Sequence, residues 1–201
     1  MKIICIGRNY AKHAKEMNAE VPSEPIFFIK PDTALLKENN FYYPEFTNDL
    51  HYEVELVLKV CKHGKHISKE HATNYYDQIG LGIDFTARDV QKIHKEKGLP
   101  WEKAKAFDNS AVLSQQFIDK ANFGPEIEFS LLKNDEIVQE GNTQDLLFDF
   151  DELIAHISKY ITLKQGDLIY TGTPEGVGPV DIGDVLVGKI EDREMFKLNI
   201  K

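Results

Sequence analysis

The sequence predicts a mixed, β-rich α+β fold with short helices. Strand-like segments, in which apolar and polar residues alternate at period two, dominate the 201-residue chain, and only three segments are predicted to be helical. No linker, low-complexity tract or clear change in composition divides the chain. We therefore expect residues 1–201 to form a single domain.

Six strands follow from this alternation and from the turn residues that bound each run. Residues 51–60 form the longest, with apolar side chains at every second position. Asn134-Asp135 is typical of a hairpin turn, and Gly-Asp pairs at 166–167 and 183–184 are expected to be turns that precede further strands. The six strands are expected over residues 2–6, 25–30, 51–60, 76–84, 127–132 and 136–140.

Local capping patterns predict two of the three helices. Thr86 and Asp89 have the spacing of a capping box, and Gly98 is a typical helix stop. Asp149 and Glu152 have the same spacing before an apolar stripe of helical period. The three helices are expected over residues 10–18, from Thr86 to Gly98, and over residues 151–160.

Charge and cysteine content exclude several classes of partner. The chain has a formal net charge of −9 and no basic stripe, so nucleic acid and anionic membranes are poor partners. Two cysteines, Cys5 and Cys61, are too few for a disulfide framework. The apolar stretch at the start is too short for a signal peptide, and no segment is apolar enough to span a membrane. A cytoplasmic protein is the expectation.

Two glutamates in the longest predicted strand are candidates for a metal site. Glu53 and Glu55 are two apart, so their side chains point to the same face with Cα atoms roughly 6.5 Å apart. One cation could be reached by both. The same pattern is also common on the solvated face of an antiparallel strand.

Asp84 adds weight to the metal hypothesis. In residues 79–84 the even positions are Gly80, Gly82 and Asp84. One face of this strand therefore carries no side chain until the carboxylate of Asp84 at its end. Glycine in a strand often marks the close approach of a ligand. Three carboxylates without a Cys/His cluster suit a hard, oxygen-liganded cation, with Mg²⁺ favoured and Mn²⁺ able to substitute. His51 shares the face of Glu53 but is expected to be exposed.

Several polar residues elsewhere could serve an anionic substrate. Arg88 and Gln91 are three apart and share a helix face, and Lys105 follows downstream; all three could equally be solvated. His13 and Glu16 have the same spacing, which fits a surface ion pair or a general base with an orienting carboxylate.

The glycine-rich loop at residues 171–179 follows a predicted strand, as phosphate-binding loops do. It lacks Gly-Lys-Ser/Thr, so a nucleotide P-loop is excluded. It is either a loop whose backbone approaches a ligand closely or a long turn.

Together these segments resemble the fumarylacetoacetate hydrolase family, in particular its short, single-domain branch of acylpyruvate hydrolases and oxaloacetate decarboxylases. The resemblance covers nearly the whole chain and keeps the family order. The matching segments are GRNYAKHAKEM (7–17), EPIFFIKP (24–31), HYEVELVLKV (51–60), GIDFTARDVQ (82–91), GLPWEKAKAFDNSA (98–111), QEGNTQDLLFDF (139–150) and GDLIYTGTPEGVGPV (166–180).

The resemblance implies a β-roll with short helices, a homodimer, and Mg²⁺ or Mn²⁺ bound in a single catalytic domain. It also implies roles for nine residues. Residues 8–20 would contain a possible lid helix, and Lys30 matches a family position to which we assign no role. Carried onto this chain, the metal ligands are Glu53, Glu55 and Asp84, the substrate-binding residues are Arg88, Gln91 and Thr173, and the catalytic residues are His13, Glu16 and Lys105.

Two departures from the family pattern concern the site. Longer members bring a further upstream carboxylate to the metal, for which this chain shows no equivalent. Glu175 stands where a basic residue is common in close relatives, so the substrate preference is open.

The implied function is metal-dependent cleavage of a carbon–carbon bond in a small 2-oxo carboxylate. The enzyme would hydrolyse an acylpyruvate of the acetylpyruvate or fumarylpyruvate type, decarboxylate oxaloacetate through a metal-held enolate, or do both. The alternatives are an isomerase or decarboxylase of the 2-hydroxyhepta-2,4-diene-1,7-dioate type, a non-catalytic oxo-acid-binding protein and, last, a purely structural β-domain.

Overall fold

The computed structural model describes residues 1–16 and 20–201. Within them, the α-helices are α1 Ala11–Glu16, α2 Lys69–Ala72, α3 Arg88–Lys97, α4 Glu102–Lys105 and α5 Phe150–Tyr160. The strands are β1 Ile3–Gly7, β2 Ile26–Lys30, β3 Asn40–Phe41, β4 Leu50–Tyr52, β5 Val54–Val60, β6 Tyr76–Asp84, β7 Thr86–Ala87, β8 Ala111–Leu113, β9 Ile118–Asp119, β10 Glu128–Lys133, β11 Glu136–Asn142, β12 Leu168–Tyr170, β13 Gly178–Pro179, β14 Val185–Ile190 and β15 Arg193–Ile200.

The described residues form three sheets. The central sheet has the order β2-β1-β12-β5-β6-β8, with β9 also paired to β6, and among its described strands only β1 and β12 pair in parallel. A second sheet has the order β11-β10-β14-β15-β3, and a small third sheet the order β13-β4-β7. The predicted class, a β-rich α+β fold with short helices, is confirmed.

The main core lies between the central sheet, the second sheet and α5. Leu56 and Leu81 of the central sheet are fully buried in one cluster with Leu131 and Leu186 of the second sheet and with Ile154 of α5. A smaller cluster covers the opposite face of the central sheet. Fully burying a side chain of this size contributes about 1.5–3 kcal/mol, so these two layers hold the neighbouring strands β5 and β6 rigidly in register.

The prediction that residues 51–60 form one continuous strand is wrong. The chain changes sheets at Glu53: β4 pairs with β13 and β7, whereas β5 pairs with β6 and β12. The carbonyl of Glu53 accepts a hydrogen bond from the backbone N–H of Asp84 at 2.9 Å, which brings the bend to the end of β6. His51, expected to be exposed, is half-buried and lies 2.8 Å from a carboxylate oxygen of Asp49.

The helix ends test the predicted caps. Asp149 and Glu152 form the predicted capping box at the start of α5. The cap predicted from Thr86 is wrong, because Thr86 belongs to β7 and its hydroxyl donates to the carbonyl of Asp84. Asp89 instead accepts a 2.6 Å hydrogen bond from the hydroxyl of Thr47.

The ends of the remaining predicted helices and strands coincide with those in the structure or lie close to them. Gly98 ends α3 in the left-handed conformation, with a φ of 62°. The hairpin turn at Asn134-Asp135 joins β10 to β11, both residues with positive φ. The helix predicted over residues 10–18 is described from Ala11 to Glu16, and residues 17 and 18 of that prediction lie outside the described residues. No described helix is long and apolar enough to cross a membrane.

Candidate active site

Three carboxylates meet where the central and the small sheet join. Glu55 lies on β5, Asp84 ends the neighbouring β6, and Glu53 occupies the bend between β4 and β5. One carboxylate oxygen from each lies within 4.8 Å of the others, and all three residues are buried. The structure therefore brings together the three residues that the sequence singled out as metal ligands.

Two cations bind this cluster from the α3–α4 side. The Lys105 ammonium donates to Oε2 of Glu53 at 2.6 Å and to Oδ2 of Asp84 at 3.0 Å. Arg88 donates to Oε1 of Glu53 at 2.7 Å and to the side-chain oxygen of Gln91 at 2.8 Å. Arg88 and Gln91 thus share one helix face, as their spacing predicted, and that face is turned toward the carboxylates.

Lys30 is a third cation of the site, which the residue pattern alone did not single out. Its side chain is fully buried at the end of β2, and its ammonium lies 2.7 Å from Oδ1 of Asp84. It also donates to the hydroxyl and the carbonyl of Ser110 at 2.9 and 3.0 Å, and to the carbonyl of Lys105. Lys30 therefore fixes the position of Asp84 relative to the end of α4.

Opposite charges set the protonation of the paired groups. Burial alone would raise the pKa of Glu53, but the charges of Lys105 and Arg88 outweigh it and hold this pKa well below its usual range. Burial alone would lower the pKa of Lys105, but Asp84 and Glu53 raise it. At neutral pH both partners of the Lys105–Glu53 pair are charged.

Glu55 differs from its two neighbours because no described Lys, Arg or His pairs with it. Its Oε2 accepts one hydrogen bond, from the backbone N–H of Gly172 at 2.6 Å. Burial, followed by the charges of Asp84 and Glu53, raises the pKa of Glu55 well above its usual value. A buried carboxylate without a cation is a costly group, which a divalent ion at this point would stabilise.

The glycine-rich loop, residues 171–179, lies against the carboxylates. Gly172 has a φ of 102°, and a Cβ there would lie 2.7 Å from the Cβ of Asn9, so only glycine brings this backbone N–H to Glu55. Thr173 accepts a 2.9 Å hydrogen bond from the side-chain amide of Gln139. Gln139 also bonds the carbonyl of Pro174 and the N–H of Val54, so it ties the loop to β5.

The predicted pair His13 and Glu16 lies on α1, beside the same loop. Nδ1 of the buried His13 is 3.1 Å from Oε2 of Glu16. The other oxygen of Glu16 accepts a 3.1 Å hydrogen bond from the backbone N–H of Gly176. Glu16 is thereby fixed from two sides, and it orients the imidazole.

A small cavity connects these groups, with a volume of about 40 Å³. One water needs roughly 10–15 Å³. An adjoining groove of about 420 Å³ shares Phe28, Trp101 and Lys105 with it. The side chains and backbone that line the small cavity come from Ile6, Gly7, Arg8, His13, Phe28, Glu53, Glu55, Asp84, Arg88, Gln91, Lys95, Trp101, Lys105 and Thr173.

The donor set fits a hard divalent cation. All three candidate ligands are carboxylate oxygens, which Mg²⁺ and Mn²⁺ prefer, and Glu55 is left without a cation partner among the described residues. When Glu55 is ionised, Lys30, Lys105 and Arg88 match the three carboxylates in charge. A bound divalent ion would therefore leave the site with a net positive charge, which an anionic substrate would neutralise.

The raised pKa of Glu55 predicts how the metal-free chain responds to pH. The folded state keeps a proton that the unfolded chain has already lost, so the free energy of unfolding falls as the pH rises, by up to about 1.4 kcal/mol per pH unit for one proton. Urea unfolding in EDTA at pH 5.5, 6.5 and 7.5 measures this fall. In Glu55→Gln, which cannot titrate at this position, the fall should be smaller; an identical fall in both proteins would contradict the assignment to Glu55.

Comparison with known proteins places the chain among enzymes. The family model described as "Fumarylacetoacetate (FAA) hydrolase C-terminal" matches residues 2–198. Oxaloacetate tautomerase YcgM of Escherichia coli (strain K12) is 45% identical over 189 residues, which cover 92% of this chain and 86% of the relative. The mitochondrial oxaloacetate decarboxylase of Dictyostelium discoideum is 43% identical over 189 residues, with the same shares of 92% and 86%.

Among solved structures, the chain is similar to fumarylpyruvate hydrolase from Pseudomonas aeruginosa in complex with Mn²⁺ and pyruvate. The TM-score is 0.93 with 34% sequence identity, and the match covers 100% of this chain and 89% of that one.

Proposed function

This chain belongs to the fumarylacetoacetate hydrolase family, and we propose that it is a Mg²⁺- or Mn²⁺-dependent enzyme that generates the enolate of a small 2-oxo carboxylate. One observation carries the proposal: three buried carboxylates within 4.8 Å of one another, with Lys105 hydrogen-bonded to two of them. Glu53, Glu55 and Asp84 would hold the ion. When bound, the ion acts as a Lewis acid on the 2-oxo group.

The residues around the carboxylates supply fixed hydrogen-bond donors. Arg88 is held by Glu53 and Gln91, and Lys105 by Glu53 and Asp84, so both cations are oriented before a substrate arrives. Donors that need no reorganisation stabilise the negative charge of an enolate far better than donors in water. Lys105 and Arg88, with Gln91, therefore stabilise the charge that develops on the substrate.

Thr173 is suited to bind the substrate carboxylate. Its oxygen already accepts a hydrogen bond from Gln139, so its own hydroxyl proton is free to be donated. Because Gln139 is buried and also fixed to β5, the direction of this donor is set by the scaffold.

Several reactions share this enolate. In oxaloacetate decarboxylation the bond between C3 and C4 breaks, CO₂ leaves and the electron pair stays on the enolate. In keto–enol tautomerisation a proton moves between C3 and the 2-oxo oxygen. In acylpyruvate hydrolysis a water adds to the distal carbonyl and pyruvate enolate leaves. The relatives' names include the first two reactions, and the structural neighbour is named for a hydrolysis of the third type.

The His13–Glu16 pair favours hydrolysis as a second activity, because only hydrolysis requires a base for an attacking water. Replacing His13 by alanine should lower the rate of acylpyruvate hydrolysis by about 10²–10⁴-fold. The rate of oxaloacetate decarboxylation should fall much less. Mg²⁺ affinity should persist. Pyruvate release from an acylpyruvate and from oxaloacetate measures the two rates, and replacement of the exposed His71 by alanine is the control. Equal losses on both substrates, or none, would refute the role of His13.

The test of the proposed function is a substrate panel with Mg²⁺, Mn²⁺ or EDTA. Acetylpyruvate, fumarylpyruvate and oxaloacetate would each be followed by pyruvate release, and oxaloacetate also by its enol absorbance. Turnover of at least one substrate that exceeds the rate with the metal ion alone, and that EDTA abolishes, supports the proposal. A chain that binds the metal but turns over none of them would point instead to dienoate isomerisation or to an oxo-acid-binding role.

Four further properties stay predictions. We propose a homodimer, which sedimentation equilibrium would measure, and a cytoplasmic location, although the Dictyostelium relative is named as mitochondrial. We also propose that residues 1–201 act as one catalytic domain. The lid helix over residues 8–20 includes residues 17–19, which lie outside the described residues.

A further inference from the structure

Two cations at the cavity are not used by the carboxylate cluster. Arg8 and Lys95 both line the cavity, yet neither forms an ion pair with a carboxylate among the described residues. In contrast, Lys30, Lys105 and Arg88 are each bound to Glu53 or Asp84. Arg8 and Lys95 are therefore free to bind an anion.

The backbone of Arg8 is held in an unfavourable conformation. Its φ is 59°, in the left-handed region that arginine rarely adopts. The side chain of the next residue, Asn9, locks this turn: its amide donates to the carbonyls of Thr171 and Phe148 at 2.8 and 3.1 Å, and its oxygen accepts from the N–H of Phe148 at 2.9 Å. Strained residues kept in place by their surroundings cluster at ligand-binding sites.

Lys95 lies on the cavity face of α3. It follows Arg88 by seven residues and Gln91 by four, so the three side chains form one stripe along the helix. Lys95 is an exposed residue, so it lies at the open edge of the cavity. Its partial burial, followed by the charges of Arg88 and Arg8, lowers its pKa. Arg8, Arg88 and Lys95 line the same cavity, so their positive charges repel one another. A bound anion would relieve this repulsion.

We propose that Arg8 and Lys95 form a subsite for the second carboxylate of a 2-oxo dicarboxylate, beyond the end of the substrate that the metal site holds. This inference rests on the proposed function and narrows its substrate. A substrate with an uncharged acyl arm would leave both cations unpaired, whereas the second carboxylate of oxaloacetate could accept a hydrogen bond from each of them. The positive charges of this subsite also explain how a chain with a net charge of −9 attracts a dianion.

The test compares oxaloacetate with acetylpyruvate in Arg8→Asn, Lys95→Gln and the control Lys92→Gln, an exposed lysine of the same helix that does not line the cavity. Asparagine tolerates the left-handed conformation, so the melting temperature of Arg8→Asn should not fall. In both variants kcat/KM for oxaloacetate should fall at least about tenfold, mainly through KM, because a charged hydrogen bond is lost. The value for acetylpyruvate should fall far less.

Pyruvate inhibition provides a second readout, because pyruvate has the oxo and carboxylate groups but no distal carboxylate. Its inhibition constant should stay within about twofold in both variants, since no charged contact is lost. Equal losses on the two substrates, or a matching loss of pyruvate inhibition, would overturn the subsite. A wild-type chain that turns over acetylpyruvate but not oxaloacetate would also overturn it and leave the proposed function standing. Turnover of none of the three substrates, acetylpyruvate, oxaloacetate and fumarylpyruvate, would remove both the subsite and the proposed function.

Discussion

Replacing Lys105 by methionine is expected to lower turnover about 10²–10³-fold, the usual effect of removing a donor to a developing oxyanion. The ammonium of Lys105 lies between Glu53 and Asp84, so its loss also removes one of the two cations that bind each of these buried carboxylates. Breaking a buried pair in this way costs about 3–5 kcal/mol. We therefore expect the metal-free variant to be clearly less stable than the wild type.

Mg²⁺ should restore much of that stability, because the ion takes over the charge that Lys105 supplied. Urea unfolding of Lys105→Met with EDTA and with excess Mg²⁺ measures the two stabilities, and single-turnover assays measure the rate. Lys103→Met, an exposed residue of the same helix, is the matched control. A Lys105→Met protein that keeps wild-type turnover would remove Lys105 from the mechanism.

Replacing Glu55 by glutamine should separate metal binding from folding. Glutamine has the same shape and can still accept the hydrogen bond from Gly172, but it cannot acquire the negative charge that Asp84 and Glu53 would repel. The metal-free variant should therefore be as stable as the wild type at neutral pH, or more stable by about 1 kcal/mol. Turnover should fall to the level seen with EDTA.

Mg²⁺ affinity in Glu55→Gln should fall by more than the roughly 10–100-fold seen when only a supporting partner of a ligand is lost. Isothermal titration with Mg²⁺ measures it, and the exposed Glu45→Gln serves as control. Unchanged affinity would exclude Glu55 as a ligand. A variant that fails to fold would show instead that the charge of Glu55 is structural.

The sequence predicted the carboxylate cluster because its signals are local. The bare strand face formed by Gly80 and Gly82 ends at Asp84, and it lies beside Glu55, which pairs with Gly82 across β5 and β6. Period-two alternation continues unbroken through Glu53, however, so the change of sheet at this residue left no trace in the pattern. Which sheet each half joins depends on pairing with distant strands.

The residues that support the cluster could not be identified from local patterns. Lys30 follows an apolar run and precedes Pro31, which is equally typical of a strand that ends in solvent; only its packing against Ser110, far along the chain, buries it. Gln139 is one polar residue of an alternating hairpin strand until the fold places it against Thr173. The spacing of Thr86 to Asp89 fits a helix cap, but pairing of Thr86 with His51 overrides it.

A Mn²⁺ titration of the metal-free wild-type chain, with free Mn²⁺ followed by electron paramagnetic resonance, tests the central claim most directly. If Glu53, Glu55 and Asp84 hold one divalent ion, the free-ion signal should stay low until one Mn²⁺ per chain has been added, and excess Mg²⁺ should release it. A free-ion signal that rises in proportion from the first addition would contradict the metal site and, with it, the proposed chemistry.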